Sequence, residues 1–252
     1  MDPSVSSLHR RDGRAKLLTR QLGDEAASYI RELIMSGQIK AGEFIRPEAI
    51  AEDLGISATP VREALLVLRS EGFLHLEPRR GFVVAPLTAA DIKDLFAAQA
   101  LLAGELAALA SARVSPVSLR ELEELQLALE TAAAQRQPEE LEELNFRFHR
   151  AINVLVGAPK IAWLLAVATR YAPRRFYSSI EGWPEATVHD HRLLLQMLRE
   201  GTAEQARVAM EEHFVNAGEL LAAHFERIMK QPDPSSETKP QEAKTSSTES
   251  QG

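Results

Sequence analysis

The order of elements predicted for residues 47–86 limits the fold of this chain more than any other feature. A short helix, Pro47–Leu54, begins with a proline, where the missing N–H costs nothing, and Gly55 ends it. After a tight connection, a second helix is predicted over 59–70, with apolar residues spaced to pack on the first. Two β-rich segments, "FLHLEP" and "GFVVAP", follow around a turn in which Gly81 permits positive φ. This order predicts a helix-turn-helix with a wing.

The rest of the chain divides by the spacing of its predicted elements. A helix near 19–36 and a turn over "KAGEF" precede the helix-turn-helix, and strand signals end at Pro86. Six helices with short connectors then predict an antiparallel bundle, at about 88–113, 115–135, 138–156, 161–180 (which Pro173 could kink), 185–199 and 203–229. Thr88 is the predicted N-cap of the first of these helices. The fold class is therefore mainly α. The predicted parts are a flexible basic arm (1–18), a winged helix-turn-helix DNA-binding domain (19–87), an all-helical effector-binding and dimerisation domain (88–230) and a disordered tail (231–252).

Composition narrows the functions open to such a chain. The formal net charge is −7, but residues 1–87 carry as many basic as acidic side chains, so the excess of acidic residues lies in residues 88–252. A neutral module can still present one basic face to nucleic acid. Cysteine is absent, which excludes disulfides and thiolate-bound zinc. The longest apolar run, near "IAWLLAVA", is too short to cross a bilayer, and the expected location is the cytoplasm, with no membrane partner.

The second helix of the helix-turn-helix would enter the major groove of double-stranded DNA and read it with its N-terminal residues. Arg62 points away from the apolar face and could fork onto guanine, and the arginines at the wing tip suit a minor groove or its phosphates. The alternative is a surface helical hairpin with ordinary solvated arginines. The predicted DNA contacts are Arg46, Ser57, Thr59, Pro60, Arg62, Arg69, Arg79, Arg80 and Gly81.

Three histidines of the bundle lie on apolar helix faces. Asn145 and His149 are one turn apart on the third helix, His191 lies on the inner face of the fifth and His213 on that of the sixth. His189 should face outward. Each polar group could be a separately satisfied core residue, but each would then need its own buried partner. Imidazoles also suit divalent transition metals, so periodicity leaves both a shared metal site and separate core residues open.

The N-terminal motif "IAEDLGISATPVREALLVLRSEGFLHLEPRRGFVV" resembles the winged helix-turn-helix of GntR-family bacterial transcription regulators. The resemblance covers nearly all of residues 20–87. It implies a homodimer that binds a palindromic operator. One departure is Ala58, where the family commonly has an arginine that contacts DNA; its absence leaves Arg62 as the main side-chain reader.

Residues 88 to about 228 resemble the all-helical FCD ligand-binding domain of the FadR-like branch of that family. The motifs are "NFRFH", "DHRLL" and "MEEHF", which match the metal-binding pattern at Asn145, His149, His191 and His213. The resemblance implies a divalent transition metal, with zinc or nickel favoured. Asn145 stands where the family has aspartate, so one negative charge is lost from the ligand set.

The resemblance also implies a small metabolite effector, often a carboxylate held by an arginine of the first bundle helix. Gln99 occupies that position here, and Ala103 replaces the glutamate that usually follows. A simple dicarboxylate is therefore not expected. The predicted effector residues are Gln99, Arg174 and Arg175. The ligand could be neutral or amide-bearing, or it could be a carboxylate held by Arg174 or Arg175.

The resulting prediction is a transcription regulator and not an enzyme. Repression is favoured because occluding a promoter needs no contact with polymerase. A metal-dependent enzyme is the first alternative, with Glu142 and Glu211 as candidate bases, although both are expected to face solvent. The other alternative is a metal-free regulator that binds a larger apolar ligand.

Overall fold

The protein, seen here in a computed structural model, is described over residues 19, 21–172 and 174–230, without the side chains of 174–176. The predicted arm (1–18) and tail (231–252) lie outside these residues. The described helices are α1 (21–35), α2 (Pro47–Leu54), α3 (Ala58–Ser70), α4 (Ala89–Ser111), α5 (Pro116–Ala134), α6 (Pro138–Leu155), α7 (Pro159–Ala168), α8 (Trp183–Glu200) and α9 (Ala203–Lys230). The strands are β1 (Phe44–Ile45), β2 (Leu74–Glu77) and β3 (Gly81–Val84), and two short 3₁₀ helices span Thr169–Tyr171 and Arg174–Ser179.

Helices α2 and α3 form the predicted helix-turn-helix. Pro47 starts α2, and Gly55 ends it in the left-handed region at φ 64°, which glycine adopts without strain. Ser57 precedes α3, which begins at Ala58, slightly earlier than its sequence predicts. The apolar face of α3 packs into a core shared with α1 and α2; its buried members are Pro60, Val61, Ala64, Leu65 and Leu68.

The wing has three strands instead of the two that were predicted. The order is β1-β3-β2, and both pairings are antiparallel. The prediction of a turn over "KAGEF" is therefore wrong at Phe44, which pairs with Val83. A strand of two residues is too short to show alternation, and it forms because β3 offers a free edge and the Ile45 side chain is buried.

Helices α4 and α9 pack along each other at the centre of the bundle. Thr88 caps α4 in a capping box with Asp91, as the sequence predicts. Gly104 and Gly218 allow a close approach, since a Cβ at either would lie 2.6 Å from a side chain of the other helix. By length and composition α4 could cross a membrane, but half of its apolar window is buried inside this bundle, as in the core helix of a globular domain.

The single helix predicted over 161–180 is wrong. Helix α7 ends at Ala168, and two 3₁₀ segments follow it. Ala172 has an extended backbone (φ −102°, ψ 122°), the conformation preferred by a residue that precedes proline. The second 3₁₀ segment crosses α6, where Ser178 donates from its backbone nitrogen and its hydroxyl to Glu142.

The winged module and the bundle meet at Glu71, directly after α3. Arg31 of α1 donates to both carboxylate oxygens of Glu71 at 2.6–3.0 Å, and its side chain is only 6% exposed. Tyr171, which follows α7, donates its hydroxyl to the backbone carbonyl of Glu71 at 2.7 Å. The ring of Tyr171 also packs on Phe73, with 5.3 Å between centroids. The end of α3 is therefore held by α1 on one side and by the bundle on the other.

Candidate functional site

Three helices bring the predicted histidines together inside the bundle. Nε2 of His149 on α6 lies 3.1 Å from Nε2 of His213 on α9 and 3.3 Å from Nε2 of His191 on α8. The ligand atoms of the three rings all lie within 4.8 Å of one another, so we call these residues the histidine cluster. His189 is exposed on α8, as its angular position predicts.

Burial sets the protonation of two residues of the histidine cluster, His149 and His191. Desolvation lowers the pKa of His149 and of His191 well below the usual value, and the neighbouring His213 lowers both further. Phe148 stacks on the His191 ring at 4.0 Å between centroids and covers one face of it. Near neutral pH these two imidazoles are therefore neutral and present a lone pair, which is the form that binds a metal.

Asp190 is a functional candidate that the sequence reasoning missed. Its Oδ2 atom lies 3.4 Å from Nδ1 of His213 and accepts a hydrogen bond from Asn216 at 3.2 Å. Burial raises the pKa of Asp190, but the contacts with His213 and Asn216 outweigh burial and lower it overall. A carboxylate beside Nδ1 favours a proton there and leaves the Nε2 lone pair for the cluster. The sequence did offer one indication, because Asp190 directly precedes His191 and lies on the same buried face of α8.

The polar atoms of the cluster cannot all satisfy one another by hydrogen bonds, and their arrangement suits a divalent cation better. A neutral imidazole carries one N–H, yet Nε2 of His149 faces two other Nε2 atoms. Asn145, one turn before His149, has a buried Oδ1 atom with no hydrogen-bond partner among the described residues. Three imidazole nitrogens, with the Asn145 oxygen as a candidate fourth donor, would make a neutral donor set, which suits zinc or nickel more than calcium or magnesium.

The expectation that Glu142 faces solvent is wrong. Glu142 is only 7% exposed. Its Oε1 atom accepts hydrogen bonds from the backbone nitrogen of Ser178 at 2.9 Å and from the Ser178 hydroxyl at 2.6 Å. Burial raises the pKa of Glu142, although the bonds from Ser178 lower it in part. The segment after α7 covers α6 at this point, and the predicted continuous helix could not show that. Glu211 is half-buried on α9, with its carboxylate against Gly104.

The predicted effector residues fall in different surroundings. Gln99 is 1% exposed on α4, and its Nε2 atom donates to the carbonyl of Ala168 at 3.2 Å. It borders a void of about 10 Å³ together with Tyr171, which is too small for a metabolite. The side chains of Arg174 and Arg175 lie outside the described part of the chain. The effector roles of all three residues stay predictions.

The predicted DNA contacts, apart from Pro60, lie at the surface of the winged module. Pro60 is buried at the start of α3, so its position favours a supporting role. The wing turn has Arg79 at φ 64° and Gly81 at φ 97°. The exposed or partly exposed members are Arg46, Ser57, Thr59, Arg62, Arg69, Arg79, Arg80 and Gly81.

A groove of about 760 Å³ runs between α3 and the wing. Arg46, Arg62 and Arg80 line it above an apolar floor that includes Leu66. Arg80 lies over the Phe44 ring, 4.4 Å from its centroid. Guanidinium groups above apolar carbon suit a phosphate backbone and the sugar edges beside it.

A winged module with an arginine-lined groove, joined to a helical domain with a buried polar cluster, defines a DNA-binding protein with a ligand-binding domain. Comparison with known proteins agrees. Residues 22–84 match the model of the bacterial regulatory proteins of the gntR family, and residues 94–216 match the FCD domain model.

Individual relatives extend the match along the chain. McbR of Escherichia coli (strain K12), an HTH-type transcriptional regulator, is 30% identical over 205 residues, covering 79% of this chain and 92% of McbR. LutR of Bacillus subtilis (strain 168) is 26% identical, covering 77% and 98%. The solved structure of E. coli McbR/YncC is 25% identical and superimposes with a TM-score of 0.64, covering 82% of this chain and 98% of that one. This chain belongs to the GntR family of transcriptional regulators, which bind DNA and are not enzymes, and it carries an FCD effector-binding domain.

The histidine cluster predicts retention of a divalent transition metal. After native purification we expect about one zinc or nickel ion per chain by mass spectrometry, and a melting temperature that falls on chelation, because a ligand bound only by the folded state stabilises it. His149→Gln, His191→Gln and His213→Gln should each lose metal, whereas His189→Gln, exposed on the same helix as His191, should keep it. A wild-type protein that retains no metal, and whose melting temperature does not change with chelator, would favour the metal-free regulator instead.

The buried imidazoles also predict how stability depends on pH in metal-free protein. Below about pH 6.5 the unfolded chain gains protons on these histidines, whereas folded His149 and His191 stay neutral down to their lowered pKa values. The free energy of unfolding should therefore fall as pH falls, by up to about 1.4 kcal/mol per pH unit for each histidine. Urea unfolding with chelator should show a shallower dependence in His149→Gln/His191→Gln. Equal slopes in the two proteins would contradict this assignment.

Proposed function

We propose that this chain is a cytoplasmic homodimeric repressor whose hold on a palindromic operator is set by a metabolite bound in a metal-containing bundle. The observation that carries the proposal is the junction at Glu71, where the bundle touches the end of the DNA-reading helix. A ligand can change DNA affinity only if it favours one arrangement of the two parts. The Tyr171–Glu71 contact supplies a physical connection between them.

DNA binding is assigned to the exposed residues around α3 and the wing. Arg62 lies in the first half of α3 and can donate two N–H groups to guanine O6 and N7. Ser57 makes no side-chain capping bond, so its hydroxyl is available to a phosphate oxygen, and Thr59 is exposed beside it. Arg79 and Arg80 at the wing tip would contact the adjacent minor groove. Arg46 and Arg69 add positive charge on either side.

The bundle is assigned to metal and metabolite. Asn145, His149, His191 and His213 would hold the metal, with Asp190 orienting the His213 ring. A divalent ion held by these neutral ligands would keep its positive charge and would attract an anionic or carbonyl oxygen of a ligand. The metabolite class that fits is therefore a small oxygen-donor anion.

Dimerisation is supported by apolar surface on the bundle. Helix α7 exposes Trp163, Leu164 and Val167, with 61% of the tryptophan accessible to solvent. Monomeric proteins rarely expose large contiguous apolar patches, and a second copy of the chain would cover this one. Two winged modules would then meet two half-sites of a palindrome. A repressor of this kind needs only to occupy its operator.

DNA recognition is tested by selecting binding sites from random duplexes and then measuring affinities by fluorescence anisotropy over a salt series. The wild-type protein should select a palindrome and bind it at least about a thousandfold more tightly than a scrambled duplex. Arg62→Ala should lose roughly 1–3 kcal/mol on the selected site. Arg150→Ala, exposed on α6 of the bundle, is the matched control and should bind as wild type does. Equal and weak binding of every duplex by the wild type would overturn the proposed function.

A further inference from the structure

We propose that Glu48 is a specificity-determining residue that reads DNA together with Arg62. This inference deepens the proposed function and rests on it. The DNA contacts expected from the sequence are all uncharged or basic, and Glu48 was not among them. Its carboxylate lies on the DNA-facing side of the winged module, at a position where a simple phosphate-binding surface would gain nothing from negative charge.

The geometry connects Glu48 directly to the main reading side chain. Nη2 of Arg62 donates to Oε1 of Glu48 at 2.6 Å. Glu48 is the second residue of α2, and Arg62 is the fifth of α3, so the pair bridges the two helices of the helix-turn-helix. Both side chains are mostly exposed, 66% for Glu48 and 60% for Arg62, so a base edge can approach either one.

The Glu48–Arg62 ion pair contributes little to the free energy of folding. A pair exposed to this extent contributes only about 0–1 kcal/mol, because water screens the charges and both long side chains lose rotamer freedom. The contrast is the Arg31–Glu71 pair, where the arginine side chain is 6% exposed and the carboxylate is held by three contacts. The Glu48–Arg62 contact therefore has its larger consequence at the surface, where it fixes the direction of the guanidinium.

The surroundings make the negative charge distinctive. Among the described residues that line the groove between α3 and the wing, Glu48 is the only acidic one, opposite three arginines. A carboxylate in that position weakens attraction to phosphates of any sequence. This loss of DNA affinity is offset only where a base donates a hydrogen bond to Glu48. The residue therefore improves discrimination between sequences and lowers the affinity for DNA in general.

The chemistry of the pair matches a G·C-containing step. Arg62 has five N–H donors, and the bond to Glu48 uses one at Nη2, which leaves others for guanine O6 and N7. Glu48 retains a second carboxylate oxygen, and carboxylates accept from the N4 amino group of cytosine. Ala58 at the start of α3 offers no polar side chain, so these two residues and Thr59 carry the side-chain readout of this part of the module. Holding Arg62 in place before binding also lowers the entropy lost on contact.

A different role would give a different result. In that role Glu48 would only occupy Arg62 in the absence of DNA and release it when any duplex binds. Removing the carboxylate would then strengthen binding to all sequences by the same factor. Specificity readout predicts unequal effects across sequences, because only some base pairs offer an amino donor.

The experiment compares wild type, Glu48→Ala and Glu52→Ala on the selected operator and on every single-base-pair variant of one half-site, by fluorescence anisotropy at several salt concentrations. Glu52 is an exposed carboxylate on the same helix, α2, and its replacement makes the same charge change. Circular dichroism confirms that all three proteins are folded. Glu48→Ala should bind scrambled duplex more tightly, whereas its discrimination at one G·C pair should fall about tenfold. Glu52→Ala should keep the wild-type profile.

Two outcomes would overturn the inference in separable ways. A selective wild type whose discrimination profile is unchanged in Glu48→Ala, with affinity raised equally for all duplexes, removes the readout role and leaves the proposed function intact. A wild type that selects no sequence removes the proposed function and this inference with it. A profile in which Glu52→Ala changes as much as Glu48→Ala would assign the effect to net charge and would also overturn the readout role.

Discussion

The ion pair between the buried Arg31 and the partly buried Glu71 is the contact on which the arrangement of this protein depends. Removing Glu71 would leave the buried guanidinium of Arg31 unpaired, which costs up to about 3–5 kcal/mol. Because Glu71 directly follows α3, the pair fixes the end of the DNA-reading helix against α1. The same residue accepts the Tyr171 hydroxyl through its backbone carbonyl, so a residue of the bundle contacts the winged module at the position that the Arg31–Glu71 pair holds.

In the bundle, desolvation determines the protonation of His149 and His191. Burial keeps His149 and His191 neutral. Their helices place the ring nitrogens close together. Helix α6 carries His149 and also Glu142, which holds the 3₁₀ segment that follows Tyr171 in the chain. A change in the contents of the cluster that moves α6 would therefore reach Tyr171 through bonded and packed groups.

Local sequence signals predicted the elements well, and long-range contacts explain what they missed. Thr88 caps its helix as expected, and the 3.6-residue period correctly brought three histidines to one point, because a bundle must turn its apolar faces inward. The two-residue strand at Phe44 depends on the edge of β3, and the burial of Glu142 depends on a segment 36 residues away. Asp190 gained its role only when α9 placed His213 beside it. None of these three contacts has a periodic signature in the sequence.

The most direct test of the account is whether the histidine cluster and the DNA-binding surface are thermodynamically coupled. The measurement is the dissociation constant for Zn²⁺, by competition with a chromophoric chelator, for the free protein and for the protein saturated with its operator. Coupling predicts that DNA changes the Zn²⁺ affinity by about 5–150-fold, that Zn²⁺ changes the operator affinity by the same factor, and that Tyr171→Phe removes most of this effect while both ligands still bind. Identical Zn²⁺ affinities for the free and the DNA-bound wild type would contradict the account.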